Sequence, residues 1–147
     1  MSAGFPPVAE LLPHRGRAVL IDEVLEDSKD STLVAAHITR AHPFFVAGLG
    51  VPAWVGIELM AQAIAAHAGL DGRRAQQPPR AGMLLGTRRY QTETAYFREG
   101  ARLEILAQRE FGDSGGLAAC ACRIACDGQT LTRATLIIVE IGPEQIQ

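Results

Sequence analysis

Ala41-His-Pro-Phe-Phe-Val-Ala-Gly-Leu-Gly-Val-Pro-Ala-Trp-Val-Gly-Ile-Glu-Leu-Met-Ala-Gln-Ala-Ile-Ala-Ala-His-Ala-Gly-Leu70 holds one formally charged side chain, Glu58. Pro52 suits the first turn of a helix and Gly69 its end, so the stretch predicts a helix over residues 52–68. At 1.5 Å per residue it is roughly 25 Å long. Trp54, Val55, Ile57, Leu59, Met60 and Ile64 place apolar surface on every side, the pattern of a helix buried in a protein core or in a bilayer. Pro52, Gly56, Glu58, Gln62 and His67 interrupt the run. A mid-span carboxylate costs about 2.5–3.5 kcal/mol, and no Lys/Arg cluster lies close enough to orient a span. The reading is a core helix, with no membrane span.

Outward from the helix the chain reads as strands. Residues 18–26 and 32–40 flank the polar turn Asp27-Ser-Lys-Asp-Ser and predict a hairpin, preceded by a short helical turn in residues 7–13 that Pro13 ends. Residues 71–79 read as an exposed loop. Four strands follow, at about 83–93, 96–112, 116–127 and 130–141, the last two joined by Asp127-Gly128, the strongest hairpin signal present. One helix cannot cover both faces of a six-stranded sheet. The economical arrangement is a curved antiparallel sheet wrapped around the helix, an α+β fold in one domain spanning residues 1–147.

Composition narrows the function. Of 147 residues 48% are hydrophobic and 20% charged, and Lys+Arg 14 against Asp+Glu 16 leaves a net charge of -2. A duplex-binding domain carries a basic excess, so nucleic acid is not an expected partner. The first residues lack the charged and apolar regions of a signal peptide, and a cytoplasmic location is the expectation. Cys120, Cys122 and Cys126 have even spacing without zinc-knuckle spacing, so they read as reduced apolar side chains on one strand face, and no metal is expected.

If the helix is core, Glu58 is the anomaly. An unpartnered buried carboxylate costs several kcal/mol, which favours the neutral carboxyl, and a carboxyl so placed can serve as a general acid or base. Gln62, at i+4, shares its face and is placed to orient it. The helix N-terminus, with free N–H groups from about Ala53 to Val55, offers polarisation of a carbonyl oxygen. That set suits proton abstraction next to a thioester. The competing reading has Glu58 reaching solvent at an edge, or pairing with an Arg across an interface. The residues alone leave both open.

Leu11-Leu-Pro-His-Arg-Gly-Arg-Ala-Val-Leu-Ile-Asp-Glu-Val-Leu-Glu26 resembles the opening of the 3-hydroxyacyl-[acyl-carrier-protein] dehydratases of the hot-dog superfamily. Pro43-Phe-Phe, Glu58-Leu-Met-Ala-Gln62, and Leu85-Gly86 leading to Phe97-Arg-Glu-Gly-Ala-Arg-Leu103 follow in that family's order. The stretch around Glu58 looks closest to the divergent dehydratase-like proteins of aryl-polyene biosynthesis. The resemblance implies a hot-dog fold, a homodimer or heterodimer, a fatty-acid or polyketide-type acyl substrate, no cofactor, and acyl carrier protein as partner. It implies that Glu58 is the catalytic acidic residue, Gln62 its companion amide, and Ala53 the residue whose N–H holds the thioester oxygen. The family's catalytic His does not carry over, because Ala47-Gly48-Leu49-Gly50 stands where Gly-His-Phe-Pro is expected, in a loop about four residues shorter. His42 is the nearest imidazole in sequence and the candidate substitute; re-registering its strand by two residues would turn it to the face of the lost one. His14 and His37 read as structural, and His67, about 180° round the helix from Glu58, as a poor partner for it.

An acyl chain needs an apolar tunnel, for which Trp54, Met60, Leu84 and Phe97 are the candidate lining. Carrier proteins are acidic, so Arg73, Arg74, Arg80, Arg88 and Arg89 suggest a basic mouth. Three functions remain: a 3-hydroxyacyl-thioester dehydratase, a non-catalytic carrier-binding subunit of a heterodimeric dehydratase, and a hot-dog thioesterase.

Overall fold

Asp127 and Gly128 take φ of 52° and 78°, the left-handed pair that a two-residue hairpin turn needs and that Asp-Gly tolerates at small cost. They join β7 (Leu117–Cys126) to β8 (Gln129–Ile141). The structure is a computed structural model describing residues 4–77, 81–112 and 115–141. Ahead of this hairpin come α1 (Val8–Leu11), β1 (Glu23–Asp27), β2 (Ser31–His37), β3 (Val51–Pro52), α2 (Gly56–Arg74), β4 (Ala81–Thr92), β5 (Tyr96–Phe97) and β6 (Arg102–Gly112). The main sheet has six strands in the order β1-β2-β6-β7-β8-β4, every pair antiparallel. The helix α2 packs on β2, β6, β7 and β4. This is the α+β, helix-in-sheet arrangement read from the sequence.

Alternation decides which strand residues meet the helix. Leu103, Ile105 and Ala107 of β6, Cys120, Cys122 and Ile124 of β7, and Leu136 of β8 point inward against Leu59, Met60, Ala63 and Ala66 of α2. All three cysteines are free thiols, two of them buried. Burial pushes the Cys120 thiol up to about 11 and raises that of Cys122 further, so both behave as small apolar groups.

Several boundaries differ from expectation for physical reasons. The predicted strand over 18–26 begins only at Glu23, because the Leu20 and Ile21 amides bond the Gln62 side chain instead of a neighbouring strand. The strand over 96–112 is two: Gly100 (φ 87°) turns the chain between β5, which pairs with β3, and β6. The helix runs past Gly69 to Arg74, preceded by a 3₁₀ turn at Ala53–Val55. Gly69 is not its terminus: a Cβ there would lie 2.6 Å from Leu11 O, so the glycine admits α1 against α2.

The helix is not buried all round. Trp54 is 60% exposed, and Ile57, Ala61, Ile64, Ala65 and Ala68 are half-buried. By length and composition the helical run Ala53–Arg74 is apolar enough to cross a membrane, yet its inner face is filled by the sheet.

Candidate active site

Glu58 stands in the first turn of α2, where the unpaired N–H groups of the helix favour a negative charge. Gln62 follows one turn later, and its side chain is fully buried. Its Nε2 donates to Glu58 Oε2 at 3.1 Å and to Ala18 O at 2.7 Å. Its Oε1 accepts from the amides of Leu20 at 2.8 Å and Ile21 at 3.3 Å. Two backbone donors and one backbone acceptor leave the amide one orientation, with the nitrogen toward Glu58. Gln62 thus ties residues 18–21 to the helix and orients the carboxylate.

The imidazole beside Glu58 is His14, with Nε2 at 3.4 Å from Oε2. His14 had read as structural; here it is a member of the site. Its signal was its place in the Leu-Pro-His-Arg run, but the contact spans 44 positions and depends on the Gln62 tether. Nε2 lies within ion-pair range of that carboxylate, and Nδ1 is buried without a partner.

Glu58 itself is 43% exposed. The desolvation expected of a core carboxylate is therefore absent within one chain, and the acid sits at the open end of the helix. Around that end Phe44, Val46, Leu49 and Trp54 are exposed apolar side chains, with Phe44 and Trp54 edge-to-face at 5.5 Å.

His42 bonds elsewhere. Its Nδ1 accepts the Phe44 N–H at 3.1 Å, so the neutral ring carries its proton on Nε2, which is buried and unpartnered. Burial lowers its pKa below the ordinary imidazole value, with nearby Asp22 opposing. It lies in a cleft of about 180 Å³ with Arg17, Val19, Leu20, Asp22, His37, Thr39, Ala41 and Pro43. There His37 is held by Asp22, which takes both its amide at 2.6 Å and its Nδ1 at 3.0 Å. His67 is remote from Glu58, as its helical angle required: it meets Thr32 Oγ1 at 2.7 Å and Asp27 Oδ1 at 3.4 Å.

The remaining site candidates divide. The Ala53 N–H, offered above to a thioester oxygen, is spent on Ala95 O at 2.9 Å. The Ala53 carbonyl accepts from Tyr90 Oη, a phenol that burial raises to about 12 and that sequence reading missed. Met60 and Phe97 are core, whereas Trp54 and Leu84 are on the surface. These four do not line one tunnel within a single chain. Arg73 and Arg74 are not free for a basic mouth, since Arg73 meets Glu10 and Arg74 meets Asp27 and Asp71. Arg80 lies outside the described residues. Among the described residues, no His, Cys, Asp or Glu side chains are grouped for a metal ion.

The comparisons fit this arrangement. The chain is similar over 97% of its length, and 95% of the other chain, to a structure described as the dehydratase heterocomplex ApeI:P from Xenorhabdus doucetiae, with 26% identity and a TM-score of 0.88. It shares its fold with Cj0977, a sigma28-regulated virulence protein from Campylobacter jejuni, at 18% identity, TM-score 0.67, covering 95% of this chain and 98% of that one. The PaaI protein of the E. coli phenylacetic acid degradation operon has the same fold at 12% identity, TM-score 0.62, covering 79% and 80%. No curated protein sequence matches the chain. The ApeP-like family, described as ApeP dehydratase, matches residues 6–147. The architecture is the hot-dog fold, and the chain belongs to the ApeP-like dehydratase family.

Proposed function

We propose that this chain is one subunit of a heterodimeric dehydratase that removes water from a 3-hydroxyacyl thioester on an acyl carrier protein, with Glu58 as its acid. One observation carries the reading. Glu58 is oriented by Gln62 at an open, apolar-rimmed helix end beside His14, while the Nδ1 lone pair of His42 is taken by the Phe44 N–H and its Nε2 is buried. Dehydration needs two groups. A base takes the α-proton, the electron pair forms the C=C bond, and the β-hydroxyl leaves as water with a proton from the acid. Glu58 supplies that second proton. The base comes from a related hot-dog subunit seated over Phe44, Trp54 and Leu49. That subunit also excludes water, so that proton transfer is to substrate. The similarity to a dehydratase heterocomplex supports this assignment. The free thiols of Cys120 and Cys122 accord with a reducing, cytoplasmic setting.

The test is turnover of a 3-hydroxyacyl carrier protein by the chain alone, by a dehydratase of the same genome alone, and by the mixture. The mixture should give enoyl product faster than the sum of the two alone. Glu58→Gln, which keeps the shape, should remove that gain, by about 10²-fold or more if the residue is the acid. Unchanged turnover by the Glu58→Gln mixture refutes the assignment, and free acid without enoyl product would mark a thioesterase.

A further inference from the structure

His14 is fastened from both sides. Ahead of it Leu11 and Leu12 are buried in the core, and Leu11 lies against Gly69 of α2. Behind it Gly16, at φ 56°, leads the chain into a short 3₁₀ turn, Gly16–Ala18. The Ala18 carbonyl and the Leu20 and Ile21 amides that follow are clasped by Gln62. Both flanks of His14 are thus tied to the helix that carries Glu58, and the core itself sets the imidazole beside that carboxyl.

The ring does little for the fold. Its Nδ1 is buried without a partner, a cost that an apolar side chain in the same place would not incur. The other imidazoles serve local structure: His37 through Asp22, His42 through the Phe44 N–H, and His67 through Thr32. Among the described residues the polar partner of the His14 ring is Glu58. The two contacts of Glu58 also fall on one atom. Gln62 Nε2 lies 3.1 Å and His14 Nε2 3.4 Å from Oε2, while Oε1 has no partner among the described residues. A carboxyl held by one oxygen from two sides leaves the other to face a reactant, whichever of His14 and Glu58 carries the proton.

We infer that His14 is a positioning residue for Glu58: together with Gln62 it holds Oε2, which makes Oε1 the oxygen that passes the proton to substrate. The assignment rests on Glu58 being the acid of the dehydration proposed above. In that step the base takes the α-proton and the C–H electron pair becomes the C=C bond. The C–O pair leaves with the hydroxyl, which takes the proton from Oε1 and departs as water. The O–H pair stays on the carboxylate, whose new charge is shared with Oε2 and met there by the Gln62 N–H and the imidazole. His14 touches neither the substrate nor the transferred proton, so its effect falls on kcat and not on KM.

The experiment follows turnover of a 3-hydroxyacyl carrier protein by the full chain mixed with its partner dehydratase. His14→Leu removes the polar contact and should lower kcat at least about tenfold, with KM within about twofold, because a loosened acid loses its orientation. His14→Gln, whose amide N–H reaches about as far as Nε2, should recover most of that loss. In a Glu58→Gln background His14→Leu should change the residual rate by less than about twofold, since His14 acts only through Glu58. Thermal melting should find His14→Leu no less stable than wild type, the unpartnered nitrogen being gone. In spectra of the ¹⁵N-histidine-labelled chain, the ring signals of His14 should move in Glu58→Gln while those of His67 stay. Wild-type kcat in His14→Leu overturns the inference and leaves Glu58 standing as the acid. So do a raised KM at unchanged kcat, an equal loss in both backgrounds, and His14 signals indifferent to Glu58→Gln. A wild-type mixture without enoyl product, or one that Glu58→Gln leaves at full rate, overturns both the inference and the dehydratase reading.

Discussion

Gln62 uses its whole hydrogen-bonding capacity on four partners, three of them backbone groups of a segment more than forty positions earlier. Gln62→Leu keeps the bulk and leaves the Leu20 and Ile21 amides and the Ala18 carbonyl without this partner. At about 1–3 kcal/mol for an unsatisfied buried group, and without simple additivity, the expected loss is about 3 kcal/mol. Urea unfolding measures it. Gln62→Glu should also destabilise, because it offers the Ala18 carbonyl and Glu58 an acceptor where they need a donor. A variant as stable as wild type would show that the tether contributes nothing net. The sequence placed Gln62 on the face of Glu58 through the i,i+4 rule, but its backbone partners were illegible, since no local pattern encodes a contact with residues 18–21.

At the scale of the element, α2 shows why a helix end is hard to read. Gly69 has the composition of a terminator, but its missing Cβ serves a neighbour, since Leu11 O would lie at 2.6 Å from it. The actual end, at Arg74, is secured by charge: Arg73 and Arg74 stand in the last turn, and Arg74 binds Asp71 and the buried carboxylate of Asp27. In an open helix Gly→Ala stabilises by up to about 1 kcal/mol. Here Gly69→Ala should instead destabilise by about 1–3 kcal/mol, as overpacking does, because the obstructing atom is backbone. Thermal denaturation gives the sign directly, and a raised Tm would disprove the close approach. The β7–β8 turn was legible for the opposite reason. Asp127-Gly128 is a local signal for a local geometry, with nothing distant to override it.

The whole molecule has two unlike sheet edges. β1 is five residues long, carries Glu23, Glu26 and Asp27, and is bent by a register shift between Val24 and Glu26; such edges resist pairing. β4 is twelve residues long, and its first half exposes Met83 at 55%, Leu84 at 42% and Leu85 at 57%. An edge of that length and polarity invites another strand. Leu85→Lys should weaken association, shifting sedimentation of the chain or of its mixture with the partner toward monomer while leaving the fold intact. Sedimentation unchanged at all concentrations would exclude β4 as the joining edge. The strands of the main sheet were legible because periodicity and turns name them, whereas their order in the sheet was not. The candidate site was half legible, because Glu58 and Gln62 share a helix whereas His14 joins them only through the fold, and because an apolar side chain left on the surface reads in sequence like any other apolar residue. Trp54 looked like core for that reason.

The Gln62 tether has a practical corollary. Since one amide clasps both the segment before β1 and Glu58, the front of the chain acts as part of that carboxylate's mounting. A cut or an insertion between Leu12 and Asp22 would leave the helix folded and the carboxylate present, yet pointing nowhere in particular.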